Sequence, residues 1–440
     1  MGATRSRRLA RLGTGAGTAV LALGAAGCWP SPGQGPNRDG YNAVEATLTV
    51  ANVASLTEAW SAPLDGPAFV PRNNPGGEIV TGHGGVYVND AGALYRLDAA
   101  TGTRDWRRAL PDVFPADHLP EMGQAFVVGD RVLAGYGSYG DIQGLGAEWH
   151  TEWLDPDTGA VLDEGPVDAF PVAVRDDEVA GVRHSCGENT FCSSTFVVTD
   201  HDDDLELATG SLGVAINRFD PPTLGEWRLY HAGVDVSSVS SRIQAFSPDG
   251  GAVTPLWTRV LQFRGPATTP VLNADETVLY TVTGGSTGNG RIHALDTETG
   301  FVLWSGDLGA GAFSPALPAL AGGRLYVPTD SGDLVVFDAD GCGQSTCSPQ
   351  WRASTGSDVN GQPAVAGGVV YTGSQDGTVA GFDADGCGGA PTCPALWSAD
   401  AGPAITGSPV VSDAQLYVVA SQPGSGGAGG SGEVVAYALP

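Results

Sequence analysis

Ile292-His-Ala-Leu-Asp296-Thr-Glu-Thr-Gly300-Phe-Val-Leu-Trp304 is an apolar strand, a tight turn, and a second strand carrying a tryptophan. The same order of parts recurs at Leu94-Tyr-Arg-Leu-Asp98-Ala-Ala-Thr-Gly102-Thr-Arg-Asp-Trp106. Another strand precedes each, Val278-Leu-Tyr-Thr-Val282 and Val86-Tyr-Val-Asn-Asp90. An aspartate at the turn can accept hydrogen bonds from the backbone ahead of it, and glycine tolerates the positive φ that a tight connection demands. Two further copies keep the strands but lengthen the turn: Val335-Val-Phe-Asp338 reaches Trp351, and Ala380-Gly-Phe-Asp383 reaches Trp397. Weaker copies follow at Leu154-Asp155, Phe196 to Asp200, Ala245 to Ser247 and Tyr437-Ala438. The turns then fall near 98, 155, 200, 247, 296, 338, 383 and 438, which makes eight copies. Self-similarity at a fixed period is the mark of a repeat fold.

The motif Ala-x-Asp-x-x-Thr-Gly-x-x-x-Trp, clearest from Ala294 to Trp304, resembles the pyrroloquinoline quinone (PQQ)-type β-propeller repeat. The resemblance implies an all-β, eight-bladed propeller, with seven blades as the alternative. Trp60, Trp106, Trp304, Trp351 and Trp397 are expected to fill the space between blades, and Asp98, Gly102, Asp296 and Gly300 to shape the turns. The last copy stops at its turn, whereas Leu56-Thr-Glu-Ala-Trp60-Ser-Ala-Pro63 is a tryptophan strand with nothing in front of it. The N-terminal strand is therefore expected to complete the C-terminal blade, closing the ring and hiding its edges. The propeller is placed at 53–440.

Composition supports this architecture. The 440 residues include 66 glycines and 30 prolines, against backgrounds of about 7 and 5 per cent. Charged residues make up only 16 per cent, while 42 per cent are hydrophobic. That balance argues against helical bundles and against wholesale disorder, and for short strands joined by turns. All basic residues are arginine. Four of the 21 precede Cys28 and no acid does, so the net charge of −28 becomes −32 without residues 1–27. Such a body repels phosphate backbones and anionic lipid heads, which argues against a nucleic-acid partner.

Arg5, Arg7, Arg8 and Arg11 precede an uncharged run from Leu12 to Gly27, which ends Ala25-Ala26-Gly27-Cys28. This resembles a bacterial lipoprotein signal peptide spanning 1–27, with Cys28 the lipidated residue. Ala25 stands where leucine is commonest, leaving ordinary cleavage nearby as the alternative, and Ser6-Arg7-Arg8 resembles a twin-arginine export signal. Residues 28–52 read as a linker or tether. The other six cysteines form near-neighbour pairs, Cys186/Cys192, Cys342/Cys347 and Cys387/Cys393. The latter two pairs sit in the lengthened turns without C-x-x-C spacing or nearby histidines, so local disulfides in an oxidising compartment are expected rather than zinc.

Motifs that carry chemistry are sparse. In the dehydrogenases of the PQQ family the quinone lies on the propeller axis beside an adjacent-cysteine disulfide, with calcium held by acidic and amide groups. This sequence has no Cys-Cys pair. The acidic run Asp200-His-Asp202-Asp203-Asp204-Leu-Glu206 offers carboxylates to Ca²⁺ but lacks the EF-hand spacing, so a solvated turn is the expectation. The aromatic stretch from Tyr136 and Tyr139 to Trp149 and Trp153 is a candidate binding loop, although Trp153 lies within a strand and reads as packing. His184 beside Cys186 reads as part of a stapled hairpin. No G-x-S-x-G elbow, Walker loop or H-E-x-x-H occurs. The reading is a non-catalytic, monomeric scaffold without a cofactor, anchored at the outer side of the cell membrane, binding an envelope or secreted protein. The functional analogy within the resemblance is the BamB lipoprotein. The alternatives are a PQQ-dependent oxidoreductase and a sugar- or ion-binding module.

Overall fold

Each repeat is one antiparallel sheet. In blade 1 the strands Val80–Gly82, Gly85–Asn89, Ala93–Asp98 and Arg104–Ala109 pair in chain order, with Val88 opposite Tyr95 and Arg96 opposite Trp106. The computed structural model describes residues 28–67, 78–90, 92–110, 119–139, 148–165, 169–175, 178–186, 192–200, 205–215, 222–226, 228–235, 240–247, 253–264, 267–284, 290–310, 312–314, 316–422 and 430–440. Eight sheets of this kind form an eight-bladed β-propeller, which settles the count against seven. All eight turn positions read from the sequence fall at or beside the ends of third strands, from Asp98 in blade 1 to Ala438 in blade 8.

Burial explains the composition of the strands. The middle strands lie between neighbouring blades, so both faces are covered and runs such as Gly85–Asn89 and Val369–Gly373 are buried throughout. The outer strand Arg104–Ala109 faces solvent and is polar and largely exposed. Tyr87, Tyr230, Tyr280, Tyr326, Tyr371 and Tyr417 repeat on second strands, each fully buried. Trp106, Trp257, Trp304, Trp351 and Trp60 on outer strands tilt against the tyrosine of their own blade at ring separations of 5.9–6.4 Å.

The ring closes as the chain ends suggest. Thr57–Leu64 is the outer strand of blade 8 and pairs antiparallel with Ser431–Ala438, placing Trp60 opposite Ala436. First strands of adjacent blades neighbour one another around the axis. Turns between first and second strands share one face with turns between third and fourth: the Ala99 N–H bonds the Gly84 carbonyl at 2.9 Å, and Ala384 bonds Gly368 likewise. We call this the turn face. The remaining connections form the loop face.

Candidate functional site

The inner edge of every first strand points at the axis, where unpaired backbone groups away from water cost about 1–3 kcal/mol each. Residues 28–52, read above as a linker, run along that axis. Thr81 of blade 1 donates its N–H to the Trp29 carbonyl at 2.7 Å, and Val127 of blade 2 donates to Pro30 at 2.8 Å. The Arg38 guanidinium donates to the Val172 carbonyl of blade 3. Leu272, Leu320 and Val365 of blades 5, 6 and 7 donate to Asn37, Asp39 and Gly40 at 3.0, 2.7 and 2.8 Å. Tyr41–Asn42 then adds a parallel strand to Ala364–Ala366, and the Asn42 amide donates to the Val411 carbonyl of blade 8 at 2.8 Å. One segment thus meets seven of the eight first strands.

The sequence of this plug suits its place. Gly40 has φ +66°, and a side-chain carbon there would stand 2.8 Å from the Pro363 carbonyl, so only glycine fits between blades 6 and 7. The Gln362 amide secures the path by donating to the carbonyls of Arg38 at 2.7 Å and Pro318 at 2.9 Å. Having bonded blade 8, the segment leaves by the turn face: Glu45 accepts from the Ala414 N–H at 2.9 Å, and Leu48 packs under the Gly367 turn. It therefore enters and leaves on the same side.

Charge is buried with it. Arg38 is 5% exposed, and burial lowers its pKa to about 10 despite the nearby Glu78 carboxylate. Burial raises Glu78 to about 7, opposed by the Ser408 hydroxyl that donates to it at 3.1 Å and by Arg38. Burial likewise raises Asp39 to about 6, against a hydrogen bond from the Tyr41 N–H. Cys28 is a free, half-buried thiol at the mouth of the plug on the turn face, its pKa raised by burial and by Asp413. Away from the plug, His293 is buried between the Thr283 and Ser305 hydroxyls at 2.8 Å each, and burial lowers it to about 4. It lies within blade 5, on its third strand.

The residues singled out in the repeat form locks between blades. Asp98 accepts from the N–H and hydroxyl of Thr101, while Asp155 and Asp296 do the same for Thr158 and Thr299. These bonds hold all three carboxyls below their usual range. Each glycine that follows, such as Gly102 at φ +70°, lies against the tryptophan of the preceding blade. Trp60 covers Gly102 and donates to Ala99, Trp106 covers Gly159 and donates to Pro156, and Trp304 covers Gly341 and donates to Ala339. Trp351 covers Gly386 in the same way. Space-filling by tryptophan was legible; that its target is the glycine of the next blade was not, although a glycine three or four residues after each turn aspartate is the signal.

Cys342–Cys347 and Cys387–Cys393 are disulfides. Their loops do more than stiffen a long turn. Thr346–Cys347 pairs parallel with Ser305–Gly306 at the outer edge of blade 5. The other loop brackets Arg352 on the outer strand of blade 6, through Arg352 N–H to Pro391 and Cys393 N–H to Arg352. Each staple therefore caps an edge strand of the preceding blade.

Other expectations divide. Trp149 and Trp153 are buried, the first edge-on to Phe170 at 4.8 Å and the second in the core between blades 2 and 3, so both pack. The backbones of Cys186 and Cys192 are opposite one another in their ladder, while their side chains lie outside the described residues. The same holds for the leader 1–27 and for the acidic run from His201 to Asp204. Among the described residues no three His, Cys, Asp or Glu side chains group as a metal site. No described helix is long and apolar enough to cross a membrane.

These features define an eight-bladed propeller built of PQQ-type repeats around a filled axis. The chain belongs to the family described as outer membrane protein assembly factor BamB, matched over residues 38–195, 239–344 and 318–436. Its fold is similar to that of quinohemoprotein alcohol dehydrogenase from Comamonas testosteroni, with TM-score 0.64 and 15% identity over 95% of this chain and 81% of that one. It is also similar to BamB from Moraxella catarrhalis, with TM-score 0.53 and 16% identity over 87% of this chain and 99% of that one. The computationally designed Ika8 protein aligns with TM-score 0.56 at 13% identity over 87% of this chain and 99% of that one. No curated protein matches the chain.

Proposed function

We propose that this protein is a non-catalytic, monomeric scaffold, exported and held at the outer side of the cell membrane by lipid on Cys28, where it binds another envelope or secreted protein. The observation that carries this reading is the occupied axis. Quinoproteins of this repeat type hold their cofactor on the propeller axis, and here Trp29 to Asn42 bond to seven blades along it. A quinone there would have to displace the bonds that satisfy the inner strands. The two described disulfides support an exported chain. Membership of the BamB family supports a protein partner, since the family is described as an assembly factor for outer-membrane proteins.

Two measurements test this. Crosslinking in the native cell, followed by mass spectrometry, should capture one reproducible envelope or secreted partner. Adding PQQ and Ca²⁺ to the purified protein should give neither stoichiometric binding nor substrate-dependent dye reduction. Binding with alcohol- or sugar-dependent turnover would replace the scaffold by the oxidoreductase reading.

A further inference from the structure

We propose that the turn face is the surface this propeller lays against a lipid bilayer, leaving the loop face turned outward for the protein partner. The proposal rests on the lipid-anchor reading above and adds to it a fixed orientation.

A lipoprotein with a free tether can turn in any direction, because each extended residue adds about 3.3–3.6 Å of reach. Here the slack is absent. Trp29, next to Cys28, is 1% exposed. Its N–H donates to the Thr81 hydroxyl at 2.7 Å, and its carbonyl accepts from the Thr81 N–H. That hydroxyl in turn donates to Ser412 at 2.8 Å. An acyl group on Cys28 would therefore emerge beside the Ser412–Ala414 turn, at the centre of the turn face. For its hydrocarbon to enter a bilayer, that face must come down onto the headgroups.

A second observation points to the same surface. Val44 is 64% exposed and Val50 38% exposed, both on the stretch where the plug leaves the axis. Val44 precedes Glu45, which binds the Ala414 N–H, and Val50 lies over the Gly368 turn. Two solvent-facing valines thus lie on the same face as Cys28, where an apolar side chain gains by touching acyl carbon.

Charge works against close contact with anionic lipid. The turn carboxylates Asp98, Asp155, Asp296 and Asp383 share this face, with Glu45 and Asp413 near the mouth. Their repulsion is screened beyond about 8 Å at physiological ionic strength, whereas insertion of two or more acyl chains is effectively stable. The anchor dominates, and the charges set how tightly the face sits. It should lie closer on neutral than on anionic bilayers.

The test uses the full chain purified from membranes and placed on vesicles of phosphatidylcholine, with and without phosphatidylglycerol. One dye is attached through Ala100→Cys, exposed on the turn face, and in a separate protein through Gln375→Cys, exposed on the loop face. Glu298→Cys and Ser331→Cys replace them if either variant melts early. Quenchers on the lipid headgroups should quench the turn-face dye several-fold more than the loop-face dye, less so with phosphatidylglycerol present. Equal or reversed quenching on a chain whose intact mass shows lipid would overturn the orientation alone. A mass without lipid, with no vesicle binding, would overturn anchor and orientation together.

Discussion

The indole N–H of Trp397 donates to the carbonyl of Leu56 at 3.0 Å, across 341 positions of sequence. In blades 1, 2 and 6 the corresponding acceptor is the turn between third and fourth strands, at Ala99, Pro156 and Ala339. Blade 8 has no such turn, because its third strand ends at Ala438 and its fourth begins at Thr57. Leu56 stands in for it, so the seam carries the same lock as the continuous joints. Trp397→Ala should cost about 3–5 kcal/mol, read by denaturant unfolding. Deleting residues 54–64 should lower the melting temperature of the whole ring. If the deletion melts like the full chain, the seam does not hold the propeller closed.

Gly341 and Gly343 separate backbone strain from contact. Both have positive φ, +81° and +74°, but a side-chain carbon at 341 would stand 2.6 Å from the Trp304 ring and one at 343 would touch nothing. Gly343→Ala should cost about 1 kcal/mol, the price of the left-handed backbone alone. Gly341→Ala should cost clearly more and should shift Trp304 fluorescence. Equal losses would show that the indole does not depend on that glycine.

The stapled loops act beyond their own length. Closing a loop of this size contributes about 2 kcal/mol in the chain-entropy model. The Cys342–Cys347 loop also supplies the Ser345 carbonyl that accepts the Ser305 N–H at 3.0 Å. Replacing both cysteines by serine should therefore speed hydrogen exchange at Ser305, in the neighbouring blade. Unchanged exchange there would reduce the staple to a local brace.

Plug seating should weaken as pH rises. Glu78 moves from an ordinary 4.5 to about 7, and Asp39 from 3.8 to about 6, both through burial. Each binds its proton more tightly in the fold than in the unfolded chain. Their stabilisation is full below about pH 4 and is lost as pH passes through 6 to 7, with Glu78 contributing on the order of 3 kcal/mol. Exchange at Leu320 and Val365, corrected for intrinsic rate, should be slower at pH 5 than at pH 8. Glu78→Gln should flatten the profile; an identical profile in that variant would clear Glu78 of the effect.

The ring was legible because its signals are local. Asp98 to Gly102 and Asp296 to Gly300 are turns within one hairpin, and their repetition counts the blades. The seam was legible because a strand without a partner at one end answers a partner without a strand at the other. The plug was not. Trp29 to Asn42 has neither periodicity nor a motif, and its Gly and Pro residues read as a linker; its bonds go to backbone groups of seven blades, which no side-chain pattern announces. The role of the lengthened turns in capping the preceding blade was hidden for the same reason, since a parallel pair such as Thr346 with Ser305 leaves no mark in either strand.

Asn42 reaches its acceptor, Val411, 369 positions further along the chain. The last residue of the plug thus finds its partner near the far end of the sequence. Until blade 8 has been made, Trp29 to Asn42 lacks the Val411 acceptor, which belongs to one of the seven blades it meets. Such distant pairing makes assembly slow, and it couples the last contact of the plug to the folding of blade 8.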